Sequence, residues 1–180
     1  MGVIIIPVIA AILPVRYALA CGIAAGMLSC LLNLGLATVF SFYAIAIITI
    51  PMVFGSFAWR HRLGPLVPIL FLTCQGLFYL FYYLFEATPL WLTHYVTAIV
   101  FAGLYAITNY RGLKLPALVL STTMCENAMM NIGSILILSL PADLWSIITP
   151  VSVLERAIAT VGAMLIIWGI RHFASRYISI

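Results

Sequence analysis

Apolar residues follow one another in seven runs along the chain, separated by short polar or proline-containing segments. The runs cover residues 3–13, 17–40, 42–59, 65–85, 90–108, 115–140 and 152–170. A membrane-spanning helix needs about 20 mainly apolar residues, so each of the last six runs is long enough to cross a bilayer. The first run contains Pro7 and covers only about half of a bilayer at about 1.5 Å per residue. The pattern predicts an all-α, polytopic transmembrane helix bundle with six full spans plus a short N-terminal apolar segment.

The composition supports a membrane protein and excludes several other classes. The 180 residues are 66% hydrophobic and 7% charged, with a mean hydropathy of +1.24, whereas globular domains carry about a quarter charged residues. We therefore predict one integral membrane domain over residues 1–180, with the lipid bilayer as its surroundings. The formal charge of +4 is too dispersed to form a nucleic-acid interface.

Basic residues alternate with acidic ones between the predicted spans. Glu86 and Asp143 lie in two connections that carry almost no cations, and Arg156 departs from the pattern. The other connections, the tail and the start of the first full span hold Arg16, Arg60, Arg62, Arg111, Lys114, Arg171 and Arg176. Because cytoplasmic loops of membrane proteins are enriched in Lys and Arg, both ends of the six-span core are predicted to be cytoplasmic.

Two further patterns bear on the ends of the spans. Trp59, Trp91, Trp145 and Trp168 lie near predicted span ends, as tryptophans that anchor a helix at the membrane interface do. Ser152 and Glu155 have the spacing of a capping box, which predicts that the last helix begins at Ser152.

Small residues recur at helical spacing in the first full span. Ala18, Gly22 and Gly26 form one row, and Ala20 and Ala24 form a parallel one. Such rows allow two membrane helices to approach each other closely. The rows indicate either tight packing within the bundle or a face on which another integral membrane subunit docks.

Glu126 is the most unusual residue of the chain, because it lies in the middle of a long apolar run. Acidic residues near the bilayer midplane are rare and often functional. A polar stripe accompanies it, formed by Thr123, Asn127, Asn131 and Ser134. These groups require hydrogen-bond partners and must face the bundle interior. The stripe predicts either a ligand or ion site or a structural clasp between helices.

Further polar groups lie at about the same depth in the membrane when each residue's position along its predicted helix is counted. Asn131, His94 and Arg156 fall at similar heights in the outer half of the bundle, and Arg156 is placed to reach Glu126 and offset its charge. Tyrosines line the outer half of the 65–85 span above Gln75; individually, they also fit an interfacial aromatic belt. The predicted substrate-binding residues of an outward-facing cavity are Gln75, Tyr79, Tyr82, His94, Glu126, Asn127, Asn131 and Arg156. Such a cavity suits a small polar solute that bears a ring.

Enzyme signatures are missing from the sequence. It contains no H-E-x-x-H or G-x-S-x-G motif and no acid pair spaced for general acid–base catalysis. We predict no enzymatic activity, no cofactor and no metal site. An intramembrane enzyme built on Cys125 and Glu126 is a minor alternative.

Two stretches carry a resemblance to a known family. Residues 2–27 read G-V-I-I-I-P-V-I-A-A-I-L-P-V-R-Y-A-L-A-C-G-I-A-A-G-M, and residues 150–164 read P-V-S-V-L-E-R-A-I-A-T-V-G-A-M. Together with six spans and cytoplasmic ends, they resemble the substrate-capture (S) components of energy-coupling factor transporters. The short leading segment and the lack of a charged, looped cap over the site differ from that family.

The resemblance implies a vitamin- or metal-type uptake subunit in the cytoplasmic membrane of a prokaryote. It also implies a coupling subunit and two ATPases on other chains, with Ala20 and Ala24 in the docking face. The alternative is a structural accessory subunit of a larger multi-subunit membrane complex, in which Glu126 only joins helices.

Overall fold

The computed structural model describes residues 2–33 and 38–177, and within them it contains helices and no strands. Residues 34–37 of the predicted 17–40 run lie outside the described residues. A 3₁₀ turn, Pro89–Leu92, precedes the helix Thr93–Thr108, and Asn109 ends that helix in the left-handed conformation that commonly terminates helices. The helices are α1 Gly2–Ile12, α2 Val15–Leu32, α3 Tyr43–Arg60, α4 Leu66–Tyr82, α5 Thr93–Thr108, α6 Arg111–Leu136 and α7 Leu144–Tyr177.

Helix α6 forms the centre of the bundle. Its 26 residues extend about 39 Å at 1.5 Å per residue, and it packs against α1, α3, α4, α5 and α7. Most of its middle part is buried, including Thr123, Glu126, Asn127 and Asn131. The prediction that this polar stripe faces the interior is therefore confirmed.

Among the described residues, four helical segments are long and apolar enough to cross a membrane. They are Val15–Leu32, Tyr43–Arg60, Pro89–Thr108 and Leu144–Phe173, whereas Val3–Ile12 and Leu66–Tyr82 are apolar but shorter. The central α6 is long but carries the polar stripe. The all-helical architecture is thus confirmed among the described residues, and the structure has four clear candidate spans where the sequence predicts six.

The last helix begins earlier than the sequence predicts. It starts at Leu144 and continues through Pro150, so Ser152 and Glu155 form no cap. A tight turn over residues 141–143 starts the helix, with backbone bonds from Leu144 to Pro141 and from Trp145 to Ala142. The extra turns place Trp145 in the core, and this burial outweighs the local capping signal.

The tryptophans also differ from the prediction. Trp59, Trp91 and Trp145 are buried against other helices, and Trp168 alone of the four has an exposed ring. Three tryptophans therefore contribute to packing within the bundle rather than presenting their rings as interfacial anchors.

The basic residues of alternate connections meet at one end of the bundle. Lys114 at the start of α6 and Arg171 in α7 both lie over the ring of Trp59. The neighbouring Arg60 donates hydrogen bonds to the carbonyls of Ala10 and Ile12, at 2.9 and 2.7 Å, at the end of α1. This geometry agrees with the prediction that these cations share one side.

The two rows of small residues in α2 have different surroundings. Ala18, Gly22 and Gly26 are buried, and α2 packs chiefly on α3. A Cβ added at Gly22 or Gly26 would lie 2.8 or 2.7 Å from a backbone atom of α3, so glycine is required for this close approach. This row is therefore used inside the bundle and is closed to an outside partner, which corrects the prediction of a five-residue docking face. Ala20 and Ala24 are exposed.

Candidate functional site

An ion pair between α6 and α7 lies at the centre of the candidate site. A guanidinium nitrogen of Arg156 donates to the Glu126 carboxylate, and the two residues are only 3% and 5% exposed. The second terminal nitrogen of Arg156 contacts the sulfur of Met130 at 3.6 Å. The sequence-based hypothesis that Arg156 offsets the charge of Glu126 is confirmed. Because an unpaired charge in the interior costs several kcal/mol, the pair fixes α7 against α6.

Two amides of α6 extend the polar cluster toward α5. Asn127 Nδ2 donates to His94 Nε2 at 2.8 Å, which places the ring proton of the neutral imidazole on Nδ1. One turn further, Asn131 Nδ2 donates to the hydroxyl of Tyr95 at 3.4 Å. Positions 127 and 131 therefore join α6 to α5 as position 126 joins it to α7.

A cavity of about 350 Å³ opens beside this cluster. Its apolar wall includes Trp91 and Trp145, whose ring centroids are 4.7 Å apart and nearly edge to face. The polar side chains on its wall are Asn127, Asn131, Ser134, Ser152, Glu155 and Arg156. A smaller cavity of about 180 Å³, lined by His94, Thr97 and Met124, reaches Arg156 as well.

Several polar atoms of the cluster lack a partner among the described residues. Asn131 Oδ1 and Arg156 Nε are buried without a hydrogen bond, and both side chains line the larger cavity. His94 Nδ1 is likewise unpartnered and its side chain lines the smaller cavity. Buried polar groups without partners are uncommon in proteins, and the side chains that carry two of these atoms, Asn131 and Arg156, line the same cavity.

Comparison with protein-family models, with curated proteins and with solved structures finds no match for this chain. The candidate site therefore has to be interpreted from its own chemistry.

The structure brings together five of the eight predicted substrate-binding residues. Glu126, Asn127, Asn131, Arg156 and His94 form the cluster described above, although they lie on three different helices. Their roles in binding stay a prediction.

The other three predicted residues lie away from the cavity. Tyr79 is buried in an aromatic cluster, where its hydroxyl donates to the carbonyl of Thr88 at 3.1 Å. Tyr82 is exposed and Gln75 is buried, and neither contributes to the cavity wall. None of the three residues lines this cavity, because the inward face of α4 packs against Trp145 and the 3₁₀ turn instead, and their roles in binding stay a prediction.

Sequence reasoning missed the aromatic wall and one hydrogen-bond partner. Trp91 and Trp145 had been assigned to the membrane interface because of their positions near span ends. Tyr95 adjoins His94 and carries the hydroxyl that Asn131 contacts. Its position beside a histidine in a predicted span was a usable signal. The local sequence does not predict the burial of Trp145 in the core, since this burial follows from the early start of α7.

The donor set around the cavity combines aromatic, amide and charged side chains. In the described part of the chain, no group of three or more His, Cys, Asp or Glu side chains could hold a metal ion. The carboxylate of Glu126 is already engaged by Arg156. The cavity wall combines two indole rings with the side chains of an asparagine and an arginine.

Proposed function

We propose that this chain is the substrate-capture subunit of a membrane transporter of the energy-coupling factor type, which binds a small, polar, ring-bearing solute in the 350 Å³ cavity. The observation that carries the proposal is that the side chains of Asn131 and Arg156, each with a buried atom that lacks a hydrogen-bond partner, line that cavity. A bound solute with one donor and one acceptor would satisfy both atoms once the two side chains turn toward the cavity. Burial of such groups without a partner otherwise costs about 1–3 kcal/mol each.

The dimensions and chemistry of the cavity suit such a solute. Small-molecule sites occupy about 300–1,000 Å³ and combine apolar walls with a few placed polar groups. The indoles of Trp91 and Trp145 supply the apolar wall. Asn131 and Arg156 supply directional contacts, and the buried Glu126 holds the guanidinium in place. A vitamin-sized heterocycle fits this arrangement better than a bare metal ion does.

The proposed topology has six spans, with both ends in the cytoplasm of a prokaryotic cell. The cluster of Arg60, Lys114 and Arg171 near Trp59 supports a cytoplasmic location of this end by the positive-inside rule. The opposite end holds the 3₁₀ turn and the connection before Trp145, where Tyr83 donates to a carbonyl at 2.6 Å. The cavity adjoins that end through its two tryptophans, so the solute would enter from outside.

The proposed transporter also requires a coupling subunit and ATPases on other chains. The exposed row of Ala20 and Ala24 on α2 supports docking of the coupling subunit, because small residues allow close helix contact. In this proposal the buried row on the same helix fixes α2 to α3.

Removal of one amide tests the capture function. Native mass spectrometry of the chain, purified gently from its own membrane, should show a stoichiometric small molecule. Asn131→Ala should lower retention of that molecule by about tenfold or more, since a site group would lose its partner. Gln75→Ala is the matched control, because Gln75 is also a buried amide but lies outside the cavity wall.

Two results would decide against capture. Retention that is equal in Asn131→Ala and wild type would sink the proposed site. Co-purification with large membrane subunits, without ATPases and without a bound solute, would favour the accessory-subunit alternative. That alternative is supported by the ion pair itself, because Glu126 and Arg156 satisfy each other as a helix clasp would require.

A further inference from the structure

Two cations lie over the ring of a single buried indole at the basic end of the bundle. The ring of Trp59 is only 7% exposed, and its centroid lies 5.5 Å from Lys114 Nζ and 4.9 Å from Arg171 Cζ. The three residues come from α3, α6 and α7. The positions of the two cations are therefore set by the packing of three helices.

Neither cation is neutralised by an acidic side chain of the chain. The four acidic residues are Glu86, Glu126, Asp143 and Glu155. Glu126 and Glu155 face Arg156, and Glu86 and Asp143 lie in connections at the opposite end. Among the described residues, Lys114 and Arg171 form ring contacts but no hydrogen bond or ion pair. Their donor groups are thus free to bind an external anion.

A third charge adds to the local positive potential. Arg60 follows Trp59 directly and directs its terminal nitrogens to the final carbonyls of α1 and to Ser56. Its donors are therefore occupied, while its charge is not neutralised by any carboxylate. Like charges near one another are unfavourable, and a bound anion would offset that repulsion.

We propose that Lys114, Arg171 and Trp59 form a binding site for a phosphate group, carried either by an acidic phospholipid headgroup or as free phosphate. Ammonium and guanidinium groups are the usual ligands of phosphate in proteins. Arg60 ends a helix that is long and apolar enough to span, which places the site at the level where headgroups lie. The proposal does not depend on the solute cavity, which lies around Arg156 and the two tryptophans of the other end.

The test compares lipids and variants on the full chain in detergent. The delipidated chain is incubated with phosphatidylglycerol or phosphatidylcholine, and bound lipid is counted by native mass spectrometry. A basic residue near the surface contributes about a fivefold gain in affinity for anionic lipid. The double variant Lys114→Gln/Arg171→Gln should therefore bind phosphatidylglycerol about thirtyfold more weakly than wild type. Each single variant is expected to bind phosphatidylglycerol about fivefold more weakly than wild type. The single variants provide the test if the double variant does not fold.

Arg62→Gln is the matched control, because it removes an exposed cation of the neighbouring connection that has no contact with Trp59. Its affinity for phosphatidylglycerol should stay within about twofold of the wild-type affinity in 0.15 M salt, where charges further apart than about 8 Å are largely screened. Preference for phosphatidylglycerol that is lost in the double variant supports the site with a lipid source.

A second arm identifies the source of the phosphate. Inorganic phosphate that raises the melting temperature of wild type but not of the double variant, with no preference between the lipids, supports the site with free phosphate. Equal binding of both lipids together with no response to phosphate would overturn the proposal. If Arg62→Gln loses as much affinity for phosphatidylglycerol as the single variants do, the proposal is overturned too, since the effect would then reflect overall charge.

Discussion

Breaking the ion pair between Glu126 and Arg156 should destabilise the bundle strongly. Both side chains are nearly inaccessible to solvent, and removing one partner of a buried pair costs about 3–5 kcal/mol. In Glu126→Met, the one anionic partner that Arg156 keeps among the described residues is a carboxylate oxygen of Glu155 at 3.9 Å, and that side chain is 54% exposed. An exposed partner contributes about 0–1 kcal/mol, so it cannot replace Glu126.

The two single variants should differ in severity. A carboxyl group can neutralise itself by binding a proton, whereas a guanidinium in a protein stays charged. We therefore expect Glu126→Met to be more damaging than Arg156→Met. The double variant should recover most of the loss, since replacing both charges by apolar groups of similar volume is often neutral.

Thermal unfolding in detergent, followed by circular dichroism, measures these effects. For a chain of this size, 3–5 kcal/mol corresponds to a fall in melting temperature of about 6–20 °C. Glu155→Gln is the control, because it changes a carboxylate near the same guanidinium and should cost less than about 1 kcal/mol. If the losses of the two single variants simply add up in the double variant, the charges are not coupled and the reasoning fails.

Further predictions concern packing and hydrogen bonds outside the site. Gly26→Val should destabilise the chain by about 1–3 kcal/mol, because a Cβ there would lie 2.7 Å from the backbone of α3. Ala24→Val, on the exposed face, should change stability by less than about 0.5 kcal/mol. If Gly26→Val and Ala24→Val destabilise the chain equally, the close packing of α2 on α3 is refuted. Arg60→Gln should speed amide hydrogen exchange at the end of α1, since charged hydrogen bonds to its carbonyls are lost; unchanged exchange would contradict this. Tyr83→Phe should cost about 1 kcal/mol in thermal unfolding through loss of a 2.6 Å hydrogen bond, whereas Tyr82→Phe should have little effect, and the reverse order would contradict the assignment.

The residues of the polar cluster could be predicted from the sequence because they are costly in an apolar run. Glu126, Asn127 and Asn131 repeat along one helix, and a polar group in apolar surroundings requires a partner. The same argument identified Arg156 as the one cation outside the alternation of basic and acidic connections. Residues of this kind reveal the interior of a membrane protein even when their neighbours in space are unknown.

The aromatic residues could not be assigned in the same way. Tryptophan and tyrosine are compatible with a membrane interface, with a core or with a cavity wall, and their local sequence does not distinguish these places. Trp145 became part of the cavity because α7 begins at Leu144, before the capping signal at Ser152. Tyr79 and Gln75 were placed in the cavity by depth alone, and depth does not fix the direction in which a helix face points.

The ion pair and the solute site are not competing interpretations of the same residues, because they use different atoms. A terminal nitrogen of Arg156 binds Glu126, while its Nε and the oxygen of Asn131 stay without partners, and both side chains line the cavity. The clasp therefore holds the guanidinium beside the cavity. It follows that variants of Glu126 should lose stability and binding together, whereas Asn131→Ala should lose binding with little loss of stability. If the ion pair is only a structural clasp and no solute binds, Asn131→Ala will show no loss of binding that is separate from a loss of stability.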